Sequence, residues 1–251
     1  MIPQNFIHIV EPFLYSFSIA CPYGFPQIAT FEEVLFNHLP DPFMLHFLQS
    51  GFRRNGNCLY RMNCADCAAC VPIRLESRAF VPDRNQKRVL RKNQDVVVEI
   101  ASPEISGRSL ALLKKFLGRR FAKSESLTTD YYGHYFMNRM TNTKEFRYLI
   151  GEKLIGVAIV DMGREWINGV YFYFDPDEGK RSPGTFNILY LNGFCQEHYI
   201  PYLYLGYWIK DCGAMKYKAN FKPHQILKNG EWITIHGRTS TRQLYPRSSV
   251  T

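Results

Sequence analysis

Apolar residues follow two regimes along the chain. Up to about residue 75, short apolar runs are interrupted by turn formers, as in CPYGFPQ, LPDP and RRNGN. There, only DPFMLHFLQSG (41–51) has helical spacing, with Asp41 as expected N-cap, Pro42 in the first turn and Gly51 as the stop. From residue 95 the periods become regular. DVVVEIA (95–101) predicts a strand through its β-branched content, and SPEISGRSLALLKKFLGRRFA (102–122) predicts a helix capped by Ser102. TDYYGHYFMNRM (129–140) reads as an aromatic helix. Three strands follow, EFRYLIG (145–151), KLIGVAIVDMG (153–163) and EWINGVYFYFDP (165–176), joined by tight hairpins at Gly151-Glu152 and Gly163-Arg164. GTFNILYLNGFCQEHY (184–199) predicts a helix and YLYLGYWI (202–209) a strand, before a tail of short strands and loops.

This order of elements is an α+β layer arrangement, with a mixed central sheet flanked by helices. The change of regime divides the chain into an irregular, cysteine-containing subdomain (1–75) and a regular domain (76–251).

Composition narrows the partners. The chain has 251 residues, 46% of them hydrophobic and 21% charged, which suits a globular protein with a sizeable core. Its net charge of +9 and pI of about 9.2 favour an anionic partner such as RNA. No apolar run approaches the roughly 18 residues that span a bilayer, so no membrane partner is expected. The N-terminus lacks the basic and small-residue signals of a secretory leader, which makes a reducing, cytoplasmic location the expectation. The seven cysteines then read as thiols or metal ligands rather than disulfides.

Four groups of residues could carry chemistry. Cys64, Cys67 and Cys70 have the every-third spacing of a soft-metal loop, which Cys21 or Cys58 could complete to four ligands for zinc or an iron–sulfur centre. The alternative is a packed loop of reduced thiols. Around that loop lie Arg53, Arg54, Arg61 and Arg74, whose planar forks suit carboxylate or phosphate. The basic run 84–95 offers Lys87, Arg88 and Lys92 to phosphates, with a solvated face as the other reading. Tyr60, Tyr131, Tyr132 and Phe172 are candidates for base stacking or for the core. Further on, Lys180, Arg181 and Ser182 precede a helix opened by Gly184, an arrangement that suits an anion. Asp161 closes an otherwise apolar strand; facing a cleft, it could hold an ammonium group and take its proton.

Together, SGFRRNGNCLYRMNCADCAACVPIRL, FVPDRNQKRVLRKN, VAIVD, VYFYFDPDEGKRSPGTF and YLYLGYWIKDCGAMKYKANFKPHQIL resemble the aminoacyl-tRNA–protein transferases of the N-end rule pathway, over about residues 15–230. The resemblance is closest to their short bacterial branch, the aspartate/glutamate leucyltransferases. It implies transfer of leucine from leucyl-tRNA to the α-amine of proteins that begin with Asp or Glu, creating a degron, and an N-acetyltransferase-like (GNAT-like) fold. Larger relatives use arginyl-tRNA, which leaves arginine as an alternative donor. A coenzyme A-dependent N-acyltransferase and a zinc-knuckle RNA-binding module are the rivals from other classes.

On this resemblance Asp161 receives the acceptor ammonium, and Arg53 or Arg54 reads the acidic first side chain. Arg74, Tyr173, Ser182, Gly184, Tyr217 and Lys218 complete the substrate site, and Lys87, Arg88 and Lys92 hold tRNA phosphates. No cofactor is required. Cys21, Cys64, Cys67 and Cys70 are the candidate metal ligands, although Cys21-Pro22-Tyr23-Gly24 lacks the second cysteine of the larger relatives' Cys-Gly-Tyr-Cys.

Overall fold

A computed structural model of the chain describes residues 6–120, 128–137 and 140–237. The elements in order are α1 (Phe6–Val10), β1 (Tyr15–Ala20), β2 (Ile28–Leu35), α2 (Asp41–Gln49), β3 (Arg53–Asn55), β4 (Cys58–Met62), β5 (Val71–Glu76), α3 (Arg84–Lys92) and β6 (Val97–Ala101). They continue with α4 (Gly107–Arg120), α5 (Thr128–Tyr135), β7 (Thr143–Ile150), β8 (Lys153–Met162), β9 (Trp166–Phe174), α6 (Pro183–Glu197), β10 (Tyr202–Trp208), β11 (His224–Lys228) and β12 (Glu231–Ile235).

The strands form two sheets. The smaller, ordered β1-β2-β4-β3, is antiparallel. The larger runs β12-β11-β5-β10-β9-β8-β7-β6 and is antiparallel except for the β9–β10 pair. The architecture is therefore α+β with a large mixed sheet. The first 75 residues, expected to be irregular, hold the whole smaller sheet. Its shorter strands, such as the three-residue β3, show no period of their own. β5, which crosses residue 75, pairs with β10 and β11 inside the larger sheet.

Two helix starts differ from expectation. The Asp41 carboxylate does not cap α2. It accepts hydrogen bonds from the Trp166 indole (2.5 Å) and the Arg164 backbone (3.0 Å), and so fastens α2 to the β8–β9 turn. Ser102 does not cap α4, which starts at Gly107, where Ser106 Oγ accepts from the Ser109 backbone. The expected helices 102–122 and 129–140 each include residues outside the described ones; α4 and α5 reach Arg120 and Tyr135.

Alternation along the larger sheet separates two cores. On β8, Ala158 and Val160 pack with α6, while Val157 and Ile159 pack with α4 and α5. A third cluster holds α2 against Phe52, which precedes β3, Leu59 of β4 and Trp166 of β9. The parallel pair β9–β10 is bonded over only three positions, Trp166–Asn168 against Tyr202–Tyr204. Beyond them β10 is irregular against β5, and Gly206 adopts φ +85°, the left-handed region that favours glycine.

Period two also decides the place of Arg74. Its neighbours Ile73 and Leu75 enter the α6 core, so Arg74 points the other way. Its guanidinium lies between the rings of Tyr202 (4.1 Å) and Trp232 (4.2 Å) and donates to Gln225 Oε1 and the Tyr204 hydroxyl. Arg74 is a clamp between β5, β10 and β11, and the expectation that it binds substrate is corrected. Arg74→Lys keeps the charge but loses the planar fork, and should lower stability by about 2 kcal/mol in urea denaturation. Unchanged stability would show that the clamp carries no weight.

Candidate active site

Where β9 and β10 separate, a cleft of about 820 Å3 opens. Gly169, Val170, Tyr171, Phe172 and Phe174 of β9 line one wall, and Leu205 and Tyr207 of β10 line the other. The first turns of α6, the segment 212–218, and Pro22, Tyr23 and Tyr60 complete the lining.

β3 brings Arg53 and Arg54 to this cleft. Arg54 is fully buried at its side chain and forms an ion pair with Asp161 of β8, Nε to Oδ2 at 2.7 Å. It also donates to the Gly56 carbonyl (2.8 Å). Arg53 differs, because no carboxylate lies within ion-pair distance of it among the described residues. Its guanidinium sits over the Tyr207 ring, 5.6 Å from the centroid. A β-carbon at position 206 would overlap that guanidinium, so Gly206 makes room for it. Arg53 Nε and Arg54 Nη2 are buried N–H donors without a protein acceptor. Unpaired buried donors are costly, and at the lining of a cleft they suit an anionic ligand.

Asp161 does not serve the cleft as expected. It shares the face of Val157 and Ile159, whereas Ala158 lines the cleft. Its carboxylate is fully buried and accepts from Arg54, Thr143 Oγ1 (2.6 Å) and Asn168 Nδ2 (3.2 Å), which leaves no space for an ammonium group. Tyr173 is corrected for the same reason. It is buried with Val157 and Ile159 and stacks on Phe136 at 5.7 Å; Phe136 lines the cleft and Tyr173 itself does not.

Ser182, Gly184, Tyr217 and Lys218 do line the cleft. Ser182 has φ 57° and turns the chain from a 3-10 turn (Pro176–Arg181) into α6, and its hydroxyl makes no cap bond. Pro183 has no N–H, so Gly184 and Thr185 supply the free amides of this helix end. Lys218 donates to the Tyr207 carbonyl (2.9 Å). Lys87, Arg88 and Lys92 lie outside the cleft on exposed faces of α3, which Asp83 and Gln86 start with a capping box. α3 packs beside α6, and Lys92 donates to the Lys180 carbonyl. The basic helix therefore neighbours the α6 end of the cleft.

The sequence reading missed Tyr23, Tyr207 and the apolar lining formed by Ala158, Ile188, Leu191 and Leu205. The break at Gly206 inside an aromatic strand was the signal for Tyr207. Burial raises the phenol pKa values of Tyr23, Tyr60 and Tyr207, so all three keep their protons and act as donors rather than bases. Among the described residues lining the cleft there is no Asp or Glu.

Cys21, Cys64, Cys67 and Cys70 surround a separate cavity of about 40 Å3. The Thr30 backbone donates to Cys64 Sγ (3.4 Å). Burial first, and then the neighbouring thiols, push the Cys70 pKa up to about 12. Among the described residues, no three of His, Cys, Asp and Glu converge closely enough to hold a metal ion as they stand.

Asp161→Asn should cost about 3 kcal/mol by leaving the Arg54 guanidinium buried without its counter-charge. The double variant Arg54→Met/Asp161→Leu should cost less than that single change in chemical denaturation. Equal losses would indicate that the pair is not what holds the two sheets together.

Residues 20–88 match the family model described as arginine-tRNA-protein transferase, N terminus, and residues 108–228 match the C-terminus model of the same family. An aspartate/glutamate leucyltransferase of Pseudomonas syringae pv. tomato is 34% identical over 74% of this chain and 80% of its own length. One of Saccharophagus degradans is 38% identical over the same shares of the two chains. Among solved structures, the C-terminal domain of a putative lysylphosphatidylglycerol synthetase from Agrobacterium fabrum aligns with a TM-score of 0.45 at 11% identity, over 77% of this chain and 70% of that one. No helix among the described residues is long and apolar enough to cross a membrane. With both family models matched and full-length relatives at this identity, the chain belongs to the arginine-tRNA-protein transferase family.

Proposed function

We propose that the cleft transfers leucine from leucyl-tRNA to the α-amine of polypeptides that begin with Asp or Glu, the activity its relatives are named for. The observation that carries this reading is the polarity of the cleft. Arg53, without a carboxylate partner, suits the acceptor's acidic side chain, and no described lining residue offers a carboxylate to an arginyl donor. A leucyl side chain fits the apolar surface of Ala158, Ile188, Leu191 and Leu205. The opened β9–β10 pair also supports the finer, N-acetyltransferase-like reading of the fold, in which donor and amine meet between splayed strands.

The reaction needs alignment more than covalent help, because the donor is already an ester. The acceptor amine attacks the ester carbonyl carbon and a C–N bond forms. The bond to the terminal ribose oxygen breaks, and that oxygen leaves with the proton the amine gives up. The acceptor therefore reacts as the free amine, since Tyr23, Tyr60 and Tyr207 hold their protons and Asp161 is enclosed. The free amides of Gly184 and Thr185, with Lys218 nearby, suit the terminal phosphate of the tRNA. Lys87, Arg88 and Lys92 extend the same basic end toward the acceptor stem. Use of charged tRNA assigns the reaction to the cytoplasm.

The four cysteines match a soft metal by number and donor type, and the Thr30 backbone N–H supports Cys64, but the four would have to draw together to coordinate one ion. Cys21, Cys64, Cys67 and Cys70 would hold zinc or an iron–sulfur centre, which would brace the loop between β4 and β5 and take no part in the transfer. Metal content of the purified protein near one zinc or one cluster per chain, lost in Cys67→Ser together with thermal stability, is the expected result. Metal-free protein of equal stability would leave four thiols packed around a cavity.

Labelled leucine and arginine, each offered as aminoacyl-tRNA with an Asp-started peptide, give the direct test. Leucine should be incorporated and arginine should not. Arg53→Ala should raise the acceptor KM about 30-fold, as expected for removing one partner of a buried charge pair, with the KM for leucyl-tRNA unchanged. Lys87→Ala/Arg88→Ala should do the reverse and flatten the salt dependence of tRNA binding. Efficient arginine transfer, or an unaltered acceptor KM in the Arg53 variant, would contradict the assignment.

A further inference from the structure

The smaller sheet carries a row of side chains that leads into the cleft. Tyr15, Glu33, Tyr60 and Arg53 are successive cross-strand partners on β1, β2, β4 and β3. Beside them Phe17 and Phe31 are partners on the same face. Tyr15 stacks on Phe17 (5.9 Å), Phe17 on Phe31 (5.2 Å, 6° between planes), Phe31 meets Tyr60 (5.6 Å) and Tyr60 meets Tyr207 in the cleft (6.2 Å). Phe17, Phe31 and Glu33 help to line a hollow of about 250 Å3. Pro22, Tyr23, Asn55 and Tyr60 belong to both this hollow and the cleft. The other face of the sheet is occupied, with Leu59 and Val34 packed against α2. Among the described residues no helix packs on the aromatic face, and Tyr15 at its outer end is 67% exposed.

We infer that this face is the docking surface for residues 2 to about 5 of the acceptor polypeptide, laid across the strands from Arg53 outward. The inference rests on the transferase reading above and adds where the acceptor chain runs. Three facts select a peptide over the tRNA. First, the row begins at Arg53, which takes the acceptor's first side chain. Second, Glu33 stands in the middle of it. The Cys58 thiol donates to Glu33 Oε2 (3.2 Å), and no cation lies within ion-pair distance of Glu33 among the described residues. That carboxylate repels phosphate but accepts N–H bonds from a peptide or a basic side chain. Third, the basic α3 adjoins α6, at Lys180 and Arg181, and has no residue in the hollow of the smaller sheet. From β3 to β1 is three inter-strand steps, about 14 Å, which about four extended residues span.

The test uses the full chain, saturating leucyl-tRNA and Asp-started peptides of two to eight residues. kcat/KM should rise about tenfold from the dipeptide to the pentapeptide, the scale of one or two aromatic contacts, and then level off. Phe31→Ala and Phe17→Ala should remove most of that rise through the KM of the longer peptides. Phe31→Leu guards against misfolding, and an unchanged KM for leucyl-tRNA confirms an intact cleft in each variant. A flat dependence on length overturns the inference, as does a Phe31→Ala variant whose defect lies in leucyl-tRNA binding. If leucine reaches no acceptor of any length, the transferase reading itself fails. Fluorescence anisotropy of a labelled Asp-started pentapeptide, compared between the unaltered chain and Phe31→Ala, then still decides whether this face binds peptide.

Discussion

The buried pair of Arg54 and Asp161 is the constraint on which the site depends. It joins the smaller sheet, through β3, to the centre of the larger one, through β8, at 2.7 Å with both side chains closed to solvent. Such a pair gives little net stability, because desolvation offsets most of its attraction. It does fix a register, since either charge left alone in that position would be severely unfavourable. With β3 held there, Arg53, one residue away, stands beside the place where β9 and β10 part. The pair thus places Arg53 without itself meeting substrate.

Around that fixed point the cleft has a simple electrostatic design. Among the described residues Arg53 has no counter-charge, Tyr23, Tyr60 and Tyr207 keep their protons, and the Asp161 carboxylate is enclosed by its partners. A site of this kind accepts an acid and rejects a base. On the proposed reading it discriminates at both substrates at once: the acceptor's first residue brings the missing negative charge, and the transferred amino acid brings no positive one.

The larger sheet was readable because its strands and α6 are long enough to show a period, and β7, β8, β9, α6 and β10 lie close to their expected spans. The smaller sheet was not, since β3 has three residues and its neighbours are interrupted by Asn-Gly and Cys-Pro turns. Of the site, Arg53, Ser182, Gly184, Tyr217 and Lys218 were anticipated through the family resemblance and do meet at the cleft. Asp161, Arg74 and Tyr173 were expected there too, and each is buried outside the lining, Asp161 and Arg74 with partners of their own and Tyr173 in the core below Phe136. A side chain's face follows from strand register, and a motif quoted as a string of letters carries no register.

By itself the sequence determined the family, the order of elements in the regular region and the residue types available for chemistry, because each is written in local spacing. Only the tertiary structure decided which arginine is committed and which is free. Arg53 and Arg54 are chemically identical neighbours, and pairing in β3 turns them to different surroundings. One finds Asp161, 107 residues further along the chain, while the other finds the ring of Tyr207 and the space left by Gly206.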